Sequence, residues 1–382
     1  LIIGLQYYAL LIAAALIYWL IPKQSVRNYF LAVSSLLFIY YFDKASALIT
    51  IILSVYSYSF AYTIEKNRGR RLYHRISIVG LVLLLAAFKY LGFLSGIISQ
   101  FNSFTGFLPV FKIEFLFLPL GLSYIIFKHI SYLTDVHWKI NDRGRFGDFL
   151  LYSSLFTIFV AGPIERFSRF KTEAERDNKF SFSFLDEGFT RIVYGLFKKF
   201  VVADWLGYFI APVWAEQENF STGFKFLALL GYSIQIYMDF SAYSDIAIGS
   251  SKMFGIKIME NFDYPYLKQN ISQFWRGWHI SLSDWIRDYL FFPLSGVFRN
   301  KTWQLFFVPL IAMGICGLWH GAETHFLVWG LCHGFALFVY QVWVSAKRKH
   351  KALAGISKTP WFSAFSVAFT FLYVSFCWIF FK

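Results

Sequence analysis

Apolar residues run in long blocks, separated by short polar loops. A helix that crosses a bilayer needs about 20 predominantly apolar residues. By that measure the pattern predicts ten spans, at residues 2–21, 29–42, 45–64, 76–98, 115–134, 192–212, 224–250, 303–318, 326–345 and 361–381. The second and eighth are short, and the sixth is interrupted by Lys198, Lys199 and Asp204. Residues 153–163, ending in Ala161-Gly162-Pro163, and residues 270–294 fit no simple span. Both are expected to be re-entrant or interfacial, because irregular backbone at membrane depth is tolerated only where protein or a water-filled cavity surrounds it. The expected fold class is an all-α polytopic integral membrane protein with about ten to eleven transmembrane helices plus re-entrant or interfacial helices. No internal repeat or linker divides the chain. One membrane domain over residues 1–382 is expected, with amino-terminal spans in 1–145, a central part in 146–300 and carboxyl-terminal spans in 301–382.

Composition agrees with the pattern. Apolar residues make up 57% of the chain and charged ones 15%, so lipid is the expected solvent for most of it. Residues 2–21 have no basic lead and no small-residue cleavage site, which reads as a span and not as a removed signal peptide. The net charge of +14 does not call for nucleic acid, because its basic residues cluster in loops. Lys23 and Arg27 follow the first span, residues 65–75 carry five Lys or Arg, and Lys139, Arg143 and Arg145 follow the fifth. The turn at Asp43-Lys44 is neutral and residues 100–114 are nearly uncharged. Basic loops on every second turn place the amino terminus outside the cytoplasm, and the basic cluster 347–351 is again cytoplasmic. Cys316, Cys332 and Cys377 lie in apolar runs, and neither they nor the histidines show metal-ligand spacing, so no metal is expected. The chain has no phosphate-cradling Gly-rich loop and no nucleophile elbow, which argues against an ATP-driven pump and a soluble-type hydrolase.

Polar residues inside this apolar context are the candidates for chemistry. Trp275, Trp278, Leu282, Trp285 and Tyr289 recur at helical spacing, predicting one helix with an apolar stripe. On that helix His279 lies at the stripe's edge, Arg276 and Arg287 beside it, and Asp284 and Asp288 opposite. Ser272 is the expected cap and Pro293 the expected stop. The stretch reads either as an interfacial helix anchored by tryptophans or as a mouth for a phosphate-bearing ligand. His320 stands between two apolar runs, flanked by Gly317 and Gly321. It is either a hydrogen-bonded helix end or a proton-transfer group, with Glu323 or His325 as possible orienting partners. Asp239 and Asp245 interrupt a long apolar run. A structural role would pair them with Lys89, Lys128 or Arg276, or with hydroxyls. Glu165-Arg166 reads as a local salt bridge or a ligand contact. His129, His137 and His333 are expected to be satisfied core or interface histidines.

These residues resemble the membrane-bound O-acyltransferase (MBOAT) family, in particular its bacterial branch of polysaccharide O-acetyltransferases, which includes the alginate and peptidoglycan enzymes. The resemblance spans nearly the whole chain. Its marks are Leu118-Pro119-Leu120-Gly121-Leu122-Ser123-Tyr124, Ala161-Gly162-Pro163-Ile164, Asp239 through Asp245, Glu260-Asn261-Phe262 with Pro265-Tyr266, Phe274 through Leu290, and Gly317 through Ala322. It implies a fold built around a central tunnel, with His320 as the catalytic histidine and His279 as the second histidine of the site. Asp239, Asp245, Trp275, Arg276, Trp278 and Arg287 match motif positions as candidate substrate- or donor-binding residues. Where the branch usually carries a second arginine, this chain has Gly277. The branch typically continues past Lys382, so the resemblance implies further residues beyond the carboxyl end.

The implied activity moves an acetyl group from cytoplasmic acetyl-CoA across the bacterial inner membrane, with no permanently bound cofactor. The acceptor would be an extracytoplasmic partner, an esterase-like (SGNH-type) transferase or an acyl carrier, which then esterifies a cell-surface polysaccharide. Residues 303–318 separate the two histidines by about 25 Å if helical throughout, which suits donor entry near His279 and acyl exit past His320. His320 would act as general base or carry the acyl group transiently. Two alternatives stay open: D-alanyl transfer to teichoic acid by a related enzyme, and a transporter or flippase.

Overall fold

The computed structural model describes residues 4–105, 118–297, 304–357 and 359–382, and among them every regular element is helical. The chain divides into two compact units: residues Leu1–Ile192 with Ile246–Met259, and Val193–Asp245 with Glu260–Lys382. The beginnings of the expected spans at 2, 115 and 303, and most of the expected uncharged loop 100–114, lie outside the described residues.

The first unit contains α1 (Leu5–Leu20), α2 (Gln24–Phe42), α3 (Lys44–Lys66), α4 (Arg70–Thr105), α5 (Leu122–Trp138), α6 (Phe146–Ser154), α7 (Phe167–Glu175) and most of α8 (Phe182–Phe197). Helix α2 begins five residues before the apolar run at 29, because its polar first turn is buried and bonded. Asn28 donates to the Ala174 carbonyl at 2.9 Å and Arg27 to that of Asn178 at 2.8 Å. Helix α3 presents a buried stripe of Ser46, Thr50, Ser54 and Ser57. Small residues let membrane helices approach closely, and here hydroxyls return to the preceding turn, Thr50 to the Ser46 carbonyl at 2.7 Å and Ser54 to that of Thr50 at 2.7 Å. Ser57 and Ser153 flank the fully buried His129 ring, each 2.9 Å from one of its nitrogens, so this histidine is the satisfied core residue expected. After α6 the chain leaves helical geometry at Leu155, and residues through Phe159 remain buried. Glu165 pairs with Arg169, one helical turn on, at 4.0 Å, and also accepts from the Met259 backbone N–H.

The second unit begins with a π-helical turn, Lys198–Ala203, followed by α9 (Asp204–Ala215) and α10 (Thr222–Lys252), whose last turns belong to the first unit. The interruption read at Lys198 and Lys199 is this turn, and the expected sixth span is thus two helices joined through it. Next come α11 (Ile271–Gly277), α12 (Ile280–Ile286), a second π-helical turn (Arg287–Phe291), α13 (Phe292–Val297), α14 (Val308–His320), α15 (Thr324–Lys349), α16 (Lys351–Ile356) and α17 (Pro360–Cys377). Among the described residues, Lys44–Lys66, Arg70–Phe93, Thr324–Lys349 and Pro360–Phe380 are long and apolar enough to cross a membrane, whereas Leu5–Leu20 and Val308–His320 are apolar but shorter.

Helices α14 and α15 form an antiparallel hairpin whose seam is glycine. A Cβ on Gly330 would collide with the Met313 carbonyl oxygen, and one on Gly334 would lie 2.8 Å from the Leu310 Cα. The spacing of Gly330 and Gly334 is the small-xxx-small pattern of closely packed membrane helices. Gly330→Val is expected to cost at least about 1–3 kcal/mol, the usual range for overpacking, because the obstacle is backbone and cannot rotate away. Thermal unfolding of the detergent-solubilised protein checks this; an unchanged midpoint would mean that the seam is not close-packed.

Candidate active site

The single helix expected over residues 275–289 is broken in the structure. Helix α11 ends at Gly277, and His279 adopts φ +43 and ψ +55, a left-handed conformation unfavourable for any residue with a Cβ. Asn270, not Ser272, caps the segment, its side-chain oxygen accepting from the Gln273 N–H at 2.9 Å. Pro293 does not stop it; helical backbone runs past it through Val297. Gly277 is closely packed, since a Cβ there would lie 2.6 Å from the Asp263 carbonyl oxygen.

The break is held from a distance by Asn261. Its carbonyl accepts from the Ile280 N–H at 2.9 Å, and its side-chain oxygen from the Ser281 N–H at 3.2 Å and the Ser281 hydroxyl at 2.9 Å. A backbone N–H can only donate, so the amide oxygen, not the amide nitrogen, faces this cluster. The same oxygen lies 3.2 Å from His279 Nδ1, which must therefore carry the proton. The lone pair is left on Nε2, which is buried and has no hydrogen-bond partner among the described residues. Burial pushes the imidazole down to about 3, so it is neutral at physiological pH. His279 thus offers a fixed acceptor atom, edge-on against Phe240 at 4.7 Å.

His320 is the last residue of α14, half-buried, and leads into extended backbone at Gly321. Its ring meets Trp319 at 4.7 Å, Trp329 at 5.0 Å and Phe381 at 5.0 Å between centroids. Trp329 in turn meets Trp378 at 5.9 Å, and Trp378 meets Trp278, the neighbour of His279, at 5.0 Å. One run of touching aromatic rings therefore joins the two histidine segments. Helix α14 has 13 residues, a rise of about 20 Å, and a 3-10 turn, Gln304–Phe307, leads into it. Glu323 and His325 are paired with each other at 2.5 Å, and His325 Nδ1 lies 2.7 Å from the Phe380 carbonyl oxygen.

The remaining candidates take separate places. Trp275 and Trp278 are buried in the aromatic cluster, whereas Arg276 and Arg287 are exposed. Asp284 and Asp288 are not opposite Arg287 but clasp it, at 2.5 Å and 2.8 Å. Asp239 pairs with Lys199 at 2.8 Å, and Asp245 with Lys198 at 2.6 Å. The bases expected for them were Lys89, Lys128 or Arg276; the π-helical turn instead turns two consecutive lysines toward α10. Sequence reasoning assigned no role to Asn261, Trp329, Trp378 or Phe381. Asn261 stands in the stretch Glu260-Asn261-Phe262, and Trp329 and His333 share a helix face by their spacing of four. Nothing in the last apolar run distinguished Trp378 and Phe381 from its other aromatics. Among the described residues no three His, Cys, Asp or Glu side chains are grouped as for a metal ion, and the groups around the two histidines are imidazole, indole and amide.

Comparison with known proteins covers the segment that carries both histidines, Asn261 and the tryptophans between them. Residues 142–380 match the family model of the membrane-bound O-acyltransferase family (MBOAT). The chain is 37% identical over 309 residues to a probable alginate O-acetylase of Pseudomonas putida, covering 78% of this chain and 59% of that protein. It is 31% identical over 363 residues to the peptidoglycan O-acetyltransferase of Helicobacter pylori, covering 86% and 66%. It is 30% identical over 272 residues to the teichoic acid D-alanyltransferase of Streptococcus thermophilus, covering 66% and 65%. The chain thus spans about six-tenths of the length of the alginate relative. With only helical elements and four helices able to cross a membrane among the described residues, and a family match that runs through both histidine segments, the chain belongs to the membrane-bound O-acyltransferase family.

Proposed function

We propose that this chain is a multi-pass acetyltransferase of the bacterial cytoplasmic membrane, with about ten spans and its amino terminus outside. It takes acetyl from cytoplasmic acetyl-CoA and delivers it to a hydroxyl on an extracytoplasmic partner, which O-acetylates a cell-surface polysaccharide such as peptidoglycan or an alginate-like polymer. The observation that carries this reading is the buried His279 imidazole with its acceptor nitrogen unpartnered, joined by aromatic rings to His320.

In this reading His320 takes the proton of the acceptor hydroxyl as its oxygen attacks the acetyl carbonyl. The carbon–sulfur bond breaks, and the imidazolium returns the proton to the departing CoA thiolate. His279 Nε2 accepts a hydrogen bond from the donor. Arg276 and Arg287, exposed beside this segment, meet the phosphates. Asp239 and Asp245 act through Lys199 and Lys198, fixing the π-helical turn against α10.

Purified protein in proteoliposomes, given acetyl-CoA labelled in the acetyl group outside its cytoplasmic face, is expected to label the partner's hydroxyl. Label arriving only from a D-alanyl carrier protein would replace acetyl with D-alanyl, the transfer for which the streptococcal relative is named. Solute flux with no labelled partner would overturn acyl transfer altogether.

A further inference from the structure

One residue of the second unit is anomalous. His333 was expected to be a satisfied core histidine, yet it is fully buried and neither of its ring nitrogens has a hydrogen-bond partner among the described residues. The indole nitrogens of Trp275 and Trp329, both buried, are unpartnered as well. The three rings touch one another: Trp275 and His333 at 5.1 Å, Trp329 and His333 at 4.9 Å, and Trp275 and Trp329 at 5.9 Å. The large majority of buried side-chain polar atoms are paired, because an unpaired one loses its hydration with no bond in return. Four such atoms within three touching rings are not an accident of packing.

The chemistry of the four atoms limits what answers them. Indole N–H groups only donate, and a neutral imidazole donates once and accepts once. The cluster therefore offers three donors and one acceptor, with no charge. That set suits a small uncharged group rich in acceptor lone pairs and is wrong for a phosphate, which needs cations. Trp329 also packs edge-on against His320 at 5.0 Å and 86°, so the cluster adjoins the proposed base.

We propose that His333, with the indole nitrogens of Trp275 and Trp329, is the binding site for the carbonyl oxygen of a short acyl thioester or ester passing His320. This rests on the acyl-transfer reading above and deepens it. The donors hold the carbonyl oxygen and stabilise the charge that develops on it when the acceptor hydroxyl attacks. The surrounding indoles restrict the acyl chain to a short one. Trp275 lies on the segment of His279, and His333 lies one turn beyond Trp329 on α15, so the site exists only where α11 packs against α15.

The test uses the full chain in nanodiscs, with acetyl-CoA carrying a carbon-13 carbonyl, read by infrared difference spectroscopy and by turnover. The variants are His333→Phe, which keeps an aromatic ring and removes both polar atoms, and His333→Gln, which restores one donor and one acceptor. The wild type is expected to show the thioester carbonyl stretch moved to lower frequency than in solution. His333→Phe should lose that shift and lower kcat by about 10²–10³-fold, the range for removing one oxyanion donor, with KM for acetyl-CoA little changed. His333→Gln should regain most of both. If acetyl-CoA binds and turns over but the wild-type carbonyl frequency equals that in solution, the cluster holds water and the proposal is overturned. Wild-type kcat in His333→Phe overturns it equally. If acetyl-CoA neither binds nor turns over, the donor assignment itself fails.

Discussion

His320→Ala is expected to lower acetyl transfer by about 10²–10⁴-fold, the usual contribution of a general acid–base group. The protein should still insert in the membrane, because His320 ends its helix and is half-buried. Its ring does pack against Trp319, Trp329 and Phe381, so truncation also removes aromatic contact. His320→Gln retains polar bulk without a titrating nitrogen and separates the two effects. Both variants should be equally inactive, and the glutamine form should unfold closer to the wild-type temperature. Acetyl ester on the glycan, measured in cells alongside the amount of protein in the membrane, reads the outcome. Wild-type ester levels in either variant would falsify the assignment of His320.

Asn261→Ala is expected to be the most damaging substitution away from the two histidines. It leaves the Ser281 N–H, the Ser281 hydroxyl and His279 Nδ1 without their common acceptor. Each buried donor left unpaired costs about 1–3 kcal/mol, and the left-handed turn at His279 loses its tether. Low recovery of folded protein is the expected result; normal yield with normal activity would mean that Asn261 does not hold the turn. Asn261→Asp asks a sharper question. The carboxylate keeps the acceptor but favours the protonated imidazole, raising it from its depressed value of about 3. Protonation fills Nε2 and removes the acceptor atom. Wild-type activity should show no loss from His279 protonation between pH 6 and 8. Activity of the aspartate variant should fall as pH drops through the raised value and recover as pH rises. A pH–rate profile that matches the wild type would show that the lone pair on Nε2 is not used.

Much of the helical framework was legible because membrane helices report themselves by length and apolarity, as at α3, α15 and α17. The ends were harder. Helix α2 extends through Gln24, Arg27 and Asn28, polar residues that no hydropathy reading includes, because Ala174 and Asn178 supply carbonyls from far along the chain. The histidines divide the same way. His129 and His333 looked alike in sequence, each an imidazole in an apolar run. Ser57 and Ser153 satisfy the first, whereas the second meets only rings.

Sequence alone determined that this is a helical membrane protein of the O-acyltransferase family and that His279 and His320 stand in its most distinctive motifs, because hydrophobic length and local motif are written in contiguous residues. Only the tertiary structure decided that the Trp-rich segment breaks at His279, that Asn261 sets its tautomer, and that Trp329, His333, Trp378 and Phe381 gather between the two motifs. A helical wheel assumes that each residue's place follows from its neighbours. A hydrogen bond to the Asn261 oxygen, 18 positions away, outweighs that local preference because a buried amide and imidazole must find partners wherever the fold provides them.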